Sequence, residues 1–103
     1  MVARSKGNTL TYLATLTFDL QNADSADYEC VAKRLAKIGL EPQLKGDSGA
    51  MVDLPANTFA GEYLSNDRDA LFAKIEAIFH ACKVSGPVFL TTAGKWGWLA
   101  GNF

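Results

Sequence analysis

Asp19 is the residue whose type and position are best suited to chemistry. It falls near the end of the alternating run TYLATLTFDL at residues 11–20. In a strand of period two, the even positions share one face and the odd positions, Asp19 included, share the other. A carboxylate on the less buried face can hold Mg²⁺ or orient a water for phosphoryl chemistry. Asp19 is therefore a candidate catalytic residue and Mg²⁺ ligand. The alternative is that it bonds amides of the next loop.

A second group of candidates is basic. Lys33, Arg34 and Lys37 fall in the basic half of the first predicted helix, and Lys45 follows in the next predicted strand. Arg34 lies on the flank between the apolar stripe and solvent, where a guanidinium can stabilise charge that develops on a phosphate. We therefore assign Arg34 a catalytic role and the three lysines a phosphate-binding role. The alternative is an ordinary solvated face, since cations near a helix C-terminus are themselves stabilising.

Aromatic side chains near the end of the chain are candidates for binding bases. Trp96 and Trp98 are two residues apart, so they share a face if this tail is extended. Stacking of an unpaired base on such a side chain contributes about 1 to 3 kcal/mol. The alternative is that both residues cover a sheet edge or a dimer seam.

The only histidine and the two cysteines are weaker candidates. His80 follows Glu76 by four residues, which is the spacing of an ordinary surface pair on a helix. Cys30 and Cys82 fall in different predicted helices, and their spacing matches neither a zinc site nor a redox pair. In a reducing compartment we expect two free thiols.

The first helix is the most firmly predicted of the elements that must position these residues. Asp24 or Ser25 caps it, and Asp27 and Glu29 fall in its first turn, where negative charge suits the helix dipole. This capping role also explains the acids without a metal. Gly39 ends the helix in a left-handed conformation. The apolar stripe consists of Tyr28, Val31, Leu35 and Ile38.

The whole pattern reads βαββαβ. Further strands are predicted at residues 40–45, 57–64 and 88–92, with 50–54 extending a hairpin, and a second helix precedes Gly86 and Pro87. This order predicts an α+β, ferredoxin-like sandwich with two helices on one face of an antiparallel four-stranded sheet. The other face would expose Leu13 and Phe89, so a homodimer is expected.

Length and composition limit the number of domains and the possible partners. The chain has 103 residues, about half of them apolar, and a formal net charge of −1. We expect a flexible arm at residues 1–9 and one domain at 10–103. The charge argues against a protein that grips duplex DNA. No segment has the length of a membrane span or the pattern of a secretory signal, which predicts a cytoplasmic protein.

Several segments together resemble a known family. FDL at 18–20, ADSADYE at 23–29, KIGL at 37–40 and LPANTFAGEY at 54–63 are similar to the GhoS-type endoribonuclease antitoxins of type V toxin-antitoxin systems. VFLTTAGKWGW at 88–98 resembles the family's last strand and aromatic tail. The family in turn resembles the small ferredoxin-like nuclease subunit of CRISPR adaptation complexes, whose first strand also ends in an Asp.

The resemblance implies a homodimer that cleaves single-stranded RNA. The candidates for binding phosphates and bases, which are Lys33, Lys37, Lys45, Trp96 and Trp98, are then candidate RNA-binding residues. Asp19 is the position that the adaptation-nuclease pattern carries over, whereas Arg34 rests on chemistry alone. The alternative function is a non-catalytic dimeric interaction module or small-ligand binding module. The near-neutral charge and the lack of a complete catalytic constellation favour that alternative.

Overall fold

The computed structural model describes residues 11–45 and 49–93. In this part the chain forms five strands and two helices. In chain order these are β1 (Tyr12–Phe18), α1 (Ser25–Lys37), β2 (Gln43–Lys45), β3 (Met51–Asp53), β4 (Thr58–Tyr63), α2 (Arg68–Cys82) and β5 (Val88–Ala93). The protein is thus an α+β protein, as predicted, and the order of its elements is compatible with a ferredoxin-like fold.

The strands form two separate antiparallel sheets. β1 is central in a three-stranded sheet of order β4-β1-β5, while β2 and β3 form a two-stranded ribbon. The prediction of one four-stranded sheet is therefore wrong. The segment before β2 does reach β4, but only through the bridge between Glu41 and Ala60, whose two backbone hydrogen bonds are both 2.9 Å.

Local hydrogen bonding explains why this ladder stops after one bridge. Two residues further along, Gln43 would have to pair with Thr58, but the Thr58 amide donates to the Pro55 carbonyl in a turn (3.1 Å). Gln43 pairs with Asp53 of β3 instead, and its side-chain amide donates to the Asp53 carboxylate at 2.7 Å. The turn uses the Thr58 amide, which would otherwise have continued the ladder, so the segment after Glu41 pairs with β3 and not with β4.

Both helices pack on the face of the sheet that the alternation of β1 predicted. Ala14, Leu16 and Phe18 are at most 4% exposed and contact the apolar stripes of the two helices. The largest fully buried side chains of this core are Leu16, Val31, Leu35, Leu40 and Ile75. The odd residues of β1 accordingly lie on the other face, which we call the open face.

Two backbone contacts require glycine. Gly39 has φ +92° just after α1, as predicted, and the carbonyl oxygen of Gly39 approaches so close to Gly61 of β4 that a Cβ there would overlap it. The register of β1 on β4 is continuous, so Gly61 marks a close approach and not a bulge. Next to this contact the Tyr63 hydroxyl donates to the Ile38 carbonyl at 2.6 Å, and burial raises the pKa of that hydroxyl.

Gly86 has the second such role, at the end of β1. Its φ is +154°, and a Cβ would overlap the Asp19 carbonyl oxygen. Gly86→Ala should lower the free energy of unfolding by about 2 to 3 kcal/mol, because the alanine adds backbone strain and displaces Asp19. Urea denaturation measures this loss. Gly49→Ala is the control, since Gly49 also has positive φ (+91°) but has open space around its Cα; equal losses for the two variants would contradict the account.

Candidate functional site

Asp19 lies immediately after β1, with its side chain exposed. Its backbone is fixed, because the Asp19 amide donates to the Pro87 carbonyl (3.1 Å) and the Gln21 amide donates to the Ser85 carbonyl (2.9 Å). The amide between them, of Leu20, donates to the Tyr28 hydroxyl at 3.1 Å. Among the described residues the Asp19 carboxylate accepts no hydrogen bond and forms no ion pair. The alternative in which it bonds the loop amides is therefore wrong, and the carboxylate is open to solvent.

The acids that follow Asp19 have a structural role in capping α1. The Asp24 carboxylate accepts from the Asp27 amide, and the Asp27 carboxylate accepts from the Asp24 amide, both at 3.1 Å. This reciprocal pair is a capping box and confirms the predicted cap of α1. Within residues 11–45 and 49–93, no group of three or more His, Cys, Asp or Glu residues lies close enough to hold a metal ion.

The candidate cations of α1 line one shallow groove. We call this the α1 groove; its lining residues are Ala26, Glu29, Cys30, Lys33, Arg34 and Lys37. The three cations are exposed, and none of them forms an ion pair in the part of the chain that the structure describes. With Glu29 as the one acid, the groove carries a net charge of +2 from +3 and −1. Such a surface attracts anions.

Asp19 and the last turns of α1, which carry Arg34 and Lys37, lie toward opposite ends of the domain. The start of α1 is beside Asp19, since Tyr28 bonds Leu20, and the end of α1 is beside Tyr63, which pairs with Tyr12 at the start of β1. Arg34 follows the cap Asp24 by ten residues, which corresponds to about 15 Å along the helix. Within one chain the structure therefore does not bring Asp19 and Arg34 together.

The remaining predicted RNA-binding residues are separate from the α1 groove. Lys45 is exposed on β2, in the two-stranded ribbon. Trp96 and Trp98 lie outside the described residues. His80 is exposed near the end of α2, as expected for a surface residue.

The cysteines correct a prediction. Cys30 of α1 and Cys82 of α2 form a disulfide, with their Cα atoms 6.0 Å apart. The expectation of two free thiols is therefore wrong. Their distance in sequence carried no pairing signal, but the two helices pack side by side on the sheet and bring the cysteines to bonding distance. Cys82 belongs to the buried core, whereas Cys30 packs at its margin and also lines the α1 groove.

The open face of the sheet is nearly uncharged. The register of β1 with β4 and β5 places nine residues on it: Leu13, Thr15, Thr17, Thr58, Ala60, Glu62, Phe89, Thr91 and Ala93. Phe89 is 67% exposed, as expected, but Leu13 is only 9% exposed and does not form the predicted apolar patch with it. Glu62 is the one charged side chain among these nine.

Comparison with known proteins adds no assignment. No protein-family model matches the chain, and no curated protein matches it. Neither described helix is long and apolar enough to cross a membrane. The chemistry of the site therefore has to be argued from its own residues.

Proposed function

We propose that the protein is a homodimer with a ferredoxin-like fold that binds single-stranded RNA and cleaves it, as the resemblance to the GhoS-type endoribonuclease antitoxins implies. The observation that carries the proposal is the α1 groove, in which Lys33, Arg34 and Lys37 are exposed and unpaired among the described residues. Phosphate contacts dominate the affinity of proteins for nucleic acids. Three cations within about one helical turn suit a short stretch of one flexible strand.

Single-stranded RNA fits this surface better than duplex DNA does. The three cations span only five residues of one helix, and the chain as a whole has a net charge of −1. A protein that follows a duplex contacts many phosphates along both strands. Binding should be measured by the anisotropy of fluorescent unpaired RNA, with duplex DNA of equal length as the comparison. Tighter binding of the duplex, or no binding of RNA, would contradict the proposal.

The open face is the proposed dimer interface. A face with a single charged side chain can be buried against a second copy of itself at a smaller electrostatic cost than a charged one, and a two-fold axis pairs the same surface on both chains. Phe89 is the exposed anchor of this face. A dimer of this kind leaves both α1 grooves on the outside, because α1 covers the opposite face of the sheet.

Phe89→Glu should convert the dimer to a monomer. The substitution places a charge where a second copy would have to desolvate it, so the dimer dissociation constant should rise about 100-fold. Sedimentation velocity across a concentration series measures the change. Met51→Glu is the matched control, because Met51 is also exposed (56%) but lies on the β2–β3 ribbon. Equal behaviour of the two variants would exclude the open face as the interface.

Asp19 is the proposed catalytic residue and Mg²⁺ ligand. It follows β1 directly and continues the alternation of the odd positions, because its amide still bonds the Pro87 carbonyl just before β5. Asp19 therefore lies at the rim of the open face, and its carboxylate is unpaired among the described residues. One or two carboxylates with several waters are a common way to bind Mg²⁺. Since Arg34 is distant within the chain, we assign it to binding the RNA and not to the cleaved phosphate.

Asp19→Asn should slow RNA cleavage in Mg²⁺ about 100-fold, because the amide holds a metal ion poorly and accepts no proton. RNA affinity should stay within about twofold, since few phosphate contacts change. Gel analysis of labelled RNA gives the rate. Asp69→Asn is the control, since the Asp69 side chain is 90% exposed on α2 and pairs only with Arg68 in the described part of the chain. An unchanged rate in Asp19→Asn would remove Asp19 from the mechanism.

The second candidate function is a non-catalytic dimeric interaction module. The separation of Asp19 from Arg34 favours it, because one chain then holds no complete catalytic set among its described residues. Under this function the protein dimerises through the open face but leaves unpaired RNA intact and unbound. Sedimentation and RNA anisotropy on the same preparation distinguish the two functions.

A further inference from the structure

The Cys30–Cys82 disulfide borders the α1 groove on one side and the core on the other. Cys30 is half-buried, and it lines the groove together with Lys33, Arg34 and Lys37. Cys82 is only 8% exposed and packs in the hydrophobic core. The groove is therefore lined by one cysteine of the disulfide and by three cations that form no ion pair with the other described residues.

We propose that this disulfide is a thiol–disulfide exchange site for small thiols that carry carboxylates, and that exchange begins at Cys30. The cations of the groove hold the carboxylates while the thiolate reaches the Cys30 sulfur. The site is independent of the proposed RNA function, because it requires only the disulfide and the charges next to it. It assigns a substrate class, anionic thiols, to a pair of cysteines that was expected to be free.

The exchange balances as two displacements. The incoming thiolate forms a bond to Cys30 Sγ, the bond between the two cysteines breaks, and its electron pair leaves on Cys82 Sγ, which takes a proton from water. A second thiolate then attacks the small-molecule sulfur of the mixed disulfide and releases Cys30 as a thiolate. The protein disulfide gains two electrons, and two small thiols are oxidised to their own disulfide.

Two effects compete over which cysteine is attacked. A better leaving group favours attack at Cys82, because the released Cys30 thiolate would lie among cations and would be stabilised by them. Access favours attack at Cys30, because Cys82 is 8% exposed and its neighbours one turn back on α2, Ile78 and Phe79, are buried as well. Access decides the outcome, since a nucleophile that cannot reach a sulfur cannot use its leaving group.

The selectivity for anionic thiols follows from the charge of the α1 groove. Lys33, Arg34 and Lys37 oppose the single acid Glu29, and Lys83 follows Cys82 on the side of α2. A surface with a net positive charge raises the local concentration of anions, and with it their association rate, at low salt. The protein should therefore react faster with mercaptopropionate than with cysteamine when both rates are expressed per thiolate.

The test compares three thiols on the oxidised full chain: mercaptopropionate, neutral mercaptoethanol and cationic cysteamine. At low salt we expect the ratio of the mercaptopropionate rate to the cysteamine rate to fall about 10-fold in Lys33→Glu/Lys37→Glu, and to change less than twofold in the control Arg68→Glu/Lys74→Glu. When this rate ratio for a variant is divided by the same ratio for the wild type, the intrinsic reactivities of the two thiols cancel. An unchanged ratio in the groove variant, or an equal fall in the control, would overturn the proposal.

Two further measurements keep the test independent of how the variants fold. In the wild type, about 0.5 M salt should reduce the same ratio severalfold, because salt screens the groove charges. Acid quenching during the reaction, followed by alkylation and peptide mapping, should find mercaptopropionate on Cys30 and the alkyl label on Cys82. A ratio that does not depend on salt, or a mixed disulfide on Cys82, would contradict the proposal.

Discussion

Replacing Lys33, Arg34 and Lys37 together by glutamate is expected to weaken the binding of unpaired RNA at least about 100-fold at 0.1 M salt. These cations supply the positive charge of the α1 groove, and their reversal turns a net charge of +2 into −4, because three residues each change by −2. Titration with a fluorescent RNA of about 20 nucleotides, which is long enough for its phosphates to contact all three cations, measures the affinity.

A matched variant separates the groove from the charge of the whole protein. Arg68 and Lys74 lie on α2, outside the α1 groove, and their replacement by glutamate changes the net charge by −4, the same change as in Lys33→Glu/Lys37→Glu. This control should bind RNA within about threefold of the wild type, since distant exposed charges are largely screened at 0.1 M salt. If this control and Lys33→Glu/Lys37→Glu lose the same affinity, only the net charge matters and the α1 groove is not the binding site.

The second large effect concerns the disulfide. Replacing Cys30 and Cys82 together by alanine should lower the free energy of unfolding by about 4 kcal/mol, because the bond closes a long loop and restricts the unfolded chain. The two residues are 52 apart in sequence. Urea denaturation of the two proteins measures the difference. Alanine is the suitable replacement, since a serine hydroxyl at buried Cys82 would add a cost of its own.

A reductant serves as the control for this prediction. A phosphine reductant should destabilise the wild type by a similar amount and leave the double alanine variant unchanged, because only the wild type has a bond to lose. A difference below about 1 kcal/mol between oxidised wild type and variant would mean that the bond contributes little to stability. Sensitivity of the alanine variant to the reductant would mean that the reductant acts elsewhere.

Local pattern was sufficient to predict the parts of the fold that depend on neighbouring residues. The alternation of β1 predicted that Ala14, Leu16 and Phe18 face the core, and the residues around Asp24 predicted the cap of α1. Period, capping and glycine conformation are set by groups a few residues apart, so one sequence contains the whole signal. For the same reason the end of α1 at Gly39 was predicted correctly.

Contacts between distant segments were harder to predict. The pairing of β2 with β3 depends on which carbonyl receives the Thr58 amide, and periodicity does not reveal this. The disulfide depends on how α1 and α2 pack, and the signal in the sequence was limited to one cysteine in each predicted helix, because Cys30 lies on the helix face of Lys33 and Lys37, away from the apolar stripe. A predicted pair of packed helices with one cysteine each should therefore be considered as a candidate disulfide.

The candidate site was predicted in pieces. The sequence identified Asp19 and the α1 cations correctly as exposed residues, but it could not show that they lie toward opposite ends of the domain. That separation depends on the direction in which α1 returns along the sheet. Because of this separation, we propose that the α1 cations bind the RNA and that Asp19, at the rim of the open face, takes part in cleavage.

The salt dependence of RNA binding by the wild-type protein tests the central claim most directly. The anisotropy titration is repeated from about 25 to 200 mM salt, and the logarithm of the association constant is plotted against the logarithm of the salt concentration. Three phosphate contacts to a single strand predict a slope of about −2. Absence of binding at low salt, or binding whose slope is near zero, would contradict the claim that Lys33, Arg34 and Lys37 bind the RNA backbone.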